Sequence, residues 1–197
     1  LQVPWPEQVT PLHAVDGAGN VLVADTGNMT VRLVSPAGVV STLAGSPLSP
    51  GNADGEGSYA RFTFPSGIAL EPGGTFVVSD RRSVRRVTAD GVVSTVTGET
   101  DAPFAHVDGP GADARFYYPA ALASDSHGNL FVADAYDDVI RKVAPSGETT
   151  TFAGALVDGP CALVDGPPAD ARFCSPSGLA IDAADNLYVS DSLNNSI

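Results

Sequence analysis

The sequence predicts an all-β protein built from one four-stranded antiparallel unit used several times. Three observations lead there. A six-residue strand-like phrase returns four times: NVLVAD (Asn20 to Asp25), TFVVSD (Thr75 to Asp80), NLFVAD (Asn129 to Asp134) and NLYVSD (Asn186 to Asp191). Their closing aspartates lie 55, 54 and 57 residues apart, and a fixed period of this size marks stacked repeat units. The chain also carries 21 Gly and 16 Pro and shows no sustained 3.6-residue apolar period, which suits short strands joined by turns.

Each unit reads as four strands in order. The first is a short apolar phrase: HAVD at His13, IALE at Ile68, LASD at Leu122 and LAID at Leu179. The second is the phrase that ends in Asp25, Asp80, Asp134 or Asp191. The third is VRLV at Val31, VRRV at Val84 and IRKV at Ile140; the fourth is VVSTLAG, VVSTVTG and TTTFAG, closing on Gly45, Gly98 and Gly154. Val, Ile, Thr and aromatic residues fill these phrases, and Gly, Asn, Asp and Pro separate them. Four antiparallel strands in roughly fifty residues is the pattern of a β-propeller blade. A single blade cannot bury both faces, whereas blades packed side by side bury them against each other. A β-sandwich also uses many short strands, but not in recurring sets of four.

The order PSGIALE, then NLFVAD, then VIRKVAPSG, then TFAG resembles the NHL-repeat propellers, most clearly over Pro119 to Gly154. The resemblance runs from Val9 onward, with units at 9–45, 53–98, 107–154 and 164–197. It implies a six-bladed ring. The chain supplies three full units and stops at Ile197 in the expected third strand of a fourth. The expectation is therefore an incomplete set, drawn from a longer chain or completed by another segment.

A second phrase links the units: ADGEGSYARF (Ala53 to Phe62), VDGPGADARF (Val107 to Phe116) and VDGPPADARF (Val164 to Phe173). Strands alternate in direction, so these links and the turns after the second strands emerge on one face. Arg61, Arg115 and Arg172 are expected to bridge neighbouring blades through Asp25, Asp80, Asp134 and Asp191, because a planar guanidinium serves two acceptors. Phe62, Phe116 and Phe173 are expected to plug the gaps between blades. The competing reading is ligand binding. The structural one is favoured because a joint must recur in every unit and a binding residue need not. The leading Asp54-Gly, Asp108-Gly and Asp165-Gly pairs read as turn formers. Calcium is the cation such acidic loops would suit, but it needs six to eight oxygens in one cage and no DxDxDG-like spacing occurs. No cofactor is expected.

Composition narrows function. One Lys and nine Arg give a net charge of −13, and a nucleic-acid surface needs clustered cations. The same balance disfavours anionic membranes, and no apolar run approaches the ~20 residues of a membrane span. No GxSxG elbow, P-loop or HExxH occurs. Zinc would need clustered His or Cys, whereas His13, His106 and His127 fall on a strand, a link and an opposite-face turn. Enzymatic relatives of this propeller class, amidating lyases and lactonases, hold metal ligands in the central channel; no such set is visible here.

Local features remain. Arg81, Arg82, Arg85 and Arg86 form a basic cluster that would dock an acidic partner or, as the favoured alternative, pair with neighbouring carboxylates. Cys161 and Cys174 share one link; they are either two thiols or a bridge, and the paired count favours the bridge, worth ~3 kcal/mol if unstrained. Asn28 and Asn194 sit in glycosylation sequons and also at the repeat's own turn position. Together these predict a non-catalytic scaffold that binds a protein partner, as a module of a larger extracellular or surface protein. The acidity, single Lys, cysteine pair and sequons point outside the cell, with a cytoplasmic location also compatible. The alternatives are a subunit of a fibrous or surface assembly, completed by a neighbouring subunit, and a metal-dependent lyase- or lactonase-like enzyme.

Overall fold

The computed structural model describes residues 13–101, 103–155 and 162–197. Blade 1 holds β1 (His13–Val15), β2 (Val21–Asp25), β3 (Thr30–Val34) and β4 (Val40–Gly45), paired in that order. Blade 2 holds β5 (Gly55–Glu56), β6 (Pro65–Leu70), β7 (Phe76–Asp80), β8 (Ser83–Val87) and β9 (Val92–Gly98). Its spatial order is β5-β9-β8-β7-β6. Blade 3 repeats this with β10 (Gly109–Pro110), β11 (Pro119–Ser124), β12 (Leu130–Asp134), β13 (Val139–Val143) and β14 (Glu148–Ala153). The fourth unit pairs β15 (Pro176–Ile181) with β16 (Leu187–Asp191). After β16 comes a 3-10 turn at Ser192–Asn194, the counterpart of Thr26–Asn28 in blade 1, and Ser196, at the start of the expected third strand, bridges Asp191 as Thr30 pairs with Asp25. The sheets do not close into a ring among the described residues.

Blades 2 and 3 carry a fifth strand that the repeat did not announce. The link entering each blade first adds two residues to that blade's outer edge: Gly55 and Glu56 oppose Val93 and Val92, and Gly109 and Pro110 oppose Thr149 and Glu148. A 3-10 turn follows, Gly57–Tyr59 or Gly111–Asp113, and packs against β4 or β9 of the preceding blade. The repeated phrase is thus wedged between the outer strands of two neighbours.

Packing follows the two-residue period of a strand. In β7, Phe76 and Val78 face blade 1, in a core with Leu22, Val31 and Phe62. Val77 faces blade 3, with Phe116, Leu130 and Val132. In β12, Phe131 and Ala133 face the fourth unit with Leu179, and Phe173 packs at the margin. Phe62 and Phe116 are fully buried. Two glycines mark close approaches. A Cβ on Gly67 would lie 2.6 Å from the Ala120 carbonyl of the next blade. Gly98 has φ +81°, and a Cβ there would lie 2.4 Å from the Arg82 carbonyl; only glycine tolerates both at low cost.

Candidate functional site: the loop-bearing face

Links and second-to-third turns meet on one face, as strand alternation requires. The second-strand carboxylates tie them together. Asp80 Oδ1 accepts from the backbone N–H of Thr63 at 2.8 Å and of Phe64 at 2.6 Å. Asp134 accepts from Tyr117 N–H at 3.0 Å and Tyr118 N–H at 2.6 Å. Asp191 accepts from Cys174 N–H at 2.6 Å. Return bonds run from Arg81 N–H to the Phe64 carbonyl and from Ala135 N–H to the Tyr118 carbonyl. Asp25 instead accepts from Asn28 Nδ2 and, at 3.5 Å, from Arg32.

The arginines that grip these carboxylates are not the expected ones. Arg61, Arg115 and Arg172 turn back on their own links and donate to local carbonyls: Ser58 and Ala60, Ala112 and Ala114, and Ala169, Asp170 and Ala171. Arg115 adds an exposed pair with Glu99 at 3.3 Å. Each closes a 3-10 or irregular turn within three residues, which its long side chain reaches more readily than a carboxylate across the joint.

The hub is the third-strand arginine. Arg85 donates to the carbonyls of Arg61 and Ala53 at 3.1 Å each, to Asp54 Oδ1 at 2.6 Å and to Asp80 Oδ2 at 3.3 Å. Arg141 makes the corresponding set with the carbonyls of Arg115 and Val107 at 2.9 Å and Asp108 at 2.7 Å, with Asp134 at 3.8 Å. Both guanidiniums are fully buried. Asp54 and Asp108 are therefore more than turn formers. Each also accepts the backbone N–H of Thr95 or Thr151 at 3.0 Å, which fixes the link to its blade's outer strand.

Electrostatics separates these acids. Burial raises the Asp80 carboxyl against two backbone donors and Arg85. Burial, then the neighbouring charge of Asp137, pushes Asp134 from 3.8 up to about 7. Asp108 is more open; burial raises it, but Thr151 N–H and Arg141 outweigh that and hold it below the ordinary carboxylate range.

Of the basic cluster, only part faces solvent. Arg85 is the buried hub, and Arg86 forks onto Glu71 with two contacts of 2.7 Å. Arg82 lies over the Phe104 ring, 3.5 Å from its centroid. Arg81 remains 43% exposed, 4.0 Å from Asp101. Around it lies the feature that the repeat concealed. Phe104 stacks on Tyr117 at 4.6 Å, Tyr117 meets Tyr136 edge-on at 5.5 Å, Tyr136 stacks on Tyr118 at 5.0 Å, and Phe64 adjoins Tyr118. These rings and Arg81 wall a cavity of about 320 Å³ at the blade 2–blade 3 joint. Phe104, Tyr117 and Tyr136 remain 56%, 36% and 44% exposed.

His106 Nδ1 lies 3.2 Å from Asp137 and Nε2 lies 2.8 Å from Thr151 Oγ1. His127 sits on the opposite face beside Asp185, at 3.4 Å, and His13 is exposed on β1. The three do not converge, and among the described residues no group of three or more His, Cys, Asp or Glu could hold a metal. The Asn28 and Asn194 amides donate to Asp25 and Asp191, the turn role available to them from the repeat. Cys174 is buried and disulfide-bonded; Cys161 lies outside the described residues. No helix among them is long and apolar enough to cross a membrane.

Repeated antiparallel blades, links that return from the outer strand to the next inner strand, and cores confined between neighbours define a β-propeller. The solved structures agree. An auxiliary nutrient binding protein from Bacteroides thetaiotaomicron superposes with a TM-score of 0.72 at 21% identity, over 92% of this chain and 44% of that one. Streptogramin B lyase superposes at 0.61 with 15% identity, over 97% and 51%; both likenesses are of fold. The chain belongs to the NHL-repeat family, whose NHL repeat matches residues 173–197. It is 31% identical over 190 residues to NHL repeat-containing protein 2 of Bos taurus, covering 89% of this chain and 26% of that protein. It is 31% identical over 207 residues to teneurin-4 of Mus musculus, covering 90% and 7%. The chain thus spans about a quarter or less of these relatives' length.

Proposed function

We propose that this propeller region is a non-catalytic scaffold that docks a protein partner on its loop-bearing face, within a larger extracellular or surface protein. The exposed ledge of Phe104, Tyr117 and Tyr136 carries the reading. Aromatic rings left open on a rigid face are characteristic of interface anchors. The ionisable residues support it: the buried arginines, their carboxylates and His106 are all engaged in holding links and strands. Function then falls to the loops that this frame presents.

The test compares variants on opposite faces. The immobilised chain carries either Tyr136→Ala on the ledge or His127→Ala on the far side. The expected result is a defined partner that binds the parent and H127A alike and is lost from Y136A. Equal binding by all three, or loss from H127A alone, would sink the reading. Dependence of binding or turnover on an added divalent metal would favour an enzyme instead.

A further inference from the structure

We infer that the cavity between blades 2 and 3 binds a single aromatic ring that carries an anionic group. The inference rests on the loop-bearing face being the binding face, and it names the chemistry that face selects. The walls are Phe64, Phe104, Tyr117, Tyr118 and Tyr136, with Arg81 at the rim. A volume of about 320 Å³ lies at the small end of ligand pockets. It has room for one substituted ring, with stacking or edge-to-face contacts from the tyrosines.

Charge selects the substituent. Among the described residues no Asp or Glu lines the cavity, and the formal charge they bring to it is the Arg81 guanidinium, in a chain of net charge −13. Arg81 is held only loosely: its carboxylate neighbour, Asp101, is 4.0 Å away and 71% exposed. An exposed pair of that kind contributes little, so an incoming anion displaces it at low cost and gains a forked donor in return. A ring bearing a cation would meet aromatic faces without a carboxylate and with Arg81 opposed. A neutral ring would leave the guanidinium unused.

The backbone of three of the walls, Phe64, Tyr117 and Tyr118, is held before any ligand arrives. Asp80 fixes the Phe64 backbone, Asp134 fixes Tyr117 and Tyr118, and the Arg81 N–H bonds the Phe64 carbonyl. Blades 2 and 3 each contribute one buried carboxylate to this purpose. A pocket fixed in this way avoids much of the ordering cost of binding.

Four probes separate ring from charge: phenyl phosphate, benzyl alcohol, inorganic phosphate and benzylamine, each titrated by ligand-observed NMR. Phenyl phosphate is expected to bind most tightly. Arg81→Gln should weaken it about tenfold or more, whereas Asp101→Asn, which removes the competing carboxylate, should tighten it about twofold. Both side chains are at the surface, so unchanged melting temperatures establish that the fold is retained. Failure of phenyl phosphate to bind at millimolar concentration overturns the inference. So does equal binding of benzylamine or inorganic phosphate, or an affinity unmoved by R81Q. Tighter binding of a phosphotyrosine peptide than of phenyl phosphate assigns the ring to a protein segment, and equal binding assigns it to a free acid; both uphold the chemistry. Phenyl phosphate binding in the parent alongside partner capture that Y136A leaves intact would sink the docking reading and leave the site standing. Partner capture lost in Y136A without phenyl phosphate binding would do the reverse.

Discussion

Arg141 and Arg115 belong to the same joint, and one grips the other's backbone. Arg141 is fully buried, bonds two carbonyls and Asp108, and faces Asp134. Arg115 is one-quarter exposed, folds onto its own turn and reaches one exposed glutamate. Identical side-chain chemistry therefore does opposite work. One arginine joins the link to two strands of its blade; the other shapes the link itself. The lesson is that recurrence of a residue in every copy locates a joint without saying which atoms close it.

The largest break in this comparison should come from Arg141→Ala. It strips the charge partner from Asp108 and Asp134 and leaves two carbonyls short of a donor. Removing one member of a buried ionic set costs about 3–5 kcal/mol, and urea unfolding measures it. If R141A unfolds no earlier than R115A, the hub assignment is wrong.

Next come the equivalent acids of the two middle blades. Asp134 is raised to about 7 from 3.8, so the fold favours its neutral form. Its stabilising contribution is complete below 3.8 and is lost as pH rises through about 7. The melting temperature should fall between about pH 4 and 7 and level off above that, and Asp134→Asn should flatten that slope. A slope unchanged by D134N counts against the raised value.

Gly98→Ala sharpens the backbone side of the same joint. Its left-handed φ and the 2.4 Å approach to the Arg82 carbonyl predict a loss of about 1–3 kcal/mol by thermal melting. The smallest effect belongs to Arg115→Ala, about 1 kcal/mol or less, since its ion pair is exposed and its backbone bonds are short-range. A larger loss in R115A would restore the link arginines to the clamping role expected of them.

Much of the fold could be read from the chain because strand period and repeat period reinforce each other. The phrases ending in Asp25, Asp80, Asp134 and Asp191 map onto β2, β7, β12 and β16. The links return on the face that strand alternation dictates. The fifth strands were hidden because two residues of Asp-Gly-x-x carry no alternation to detect. Arg85 and Arg141 were visible only as part of charged third strands; whether such a residue points into a joint depends on register between blades, which no single strand encodes. The aromatic cavity lay in the differences between copies. Where one link reads Thr63-Phe64 and another Cys174-Ser175, the middle one reads Tyr117-Tyr118, and only that blade's turn has Tyr136 after Ala135. The recurring residues build the frame; the aromatic cavity is built from residues that do not recur.

The two-residue strands have a consequence for how the protein keeps to itself. The outer rim of a propeller blade is an open ladder, and unpaired rims invite sheet-to-sheet growth between molecules. In blades 2 and 3 the incoming link takes up part of that ladder with Gly55–Glu56 and Gly109–Pro110, ending in a carboxylate in one and in a residue without an amide hydrogen in the other. The covalent thread between blades thus doubles as a guard rail that takes up part of the rim where a foreign strand would otherwise pair.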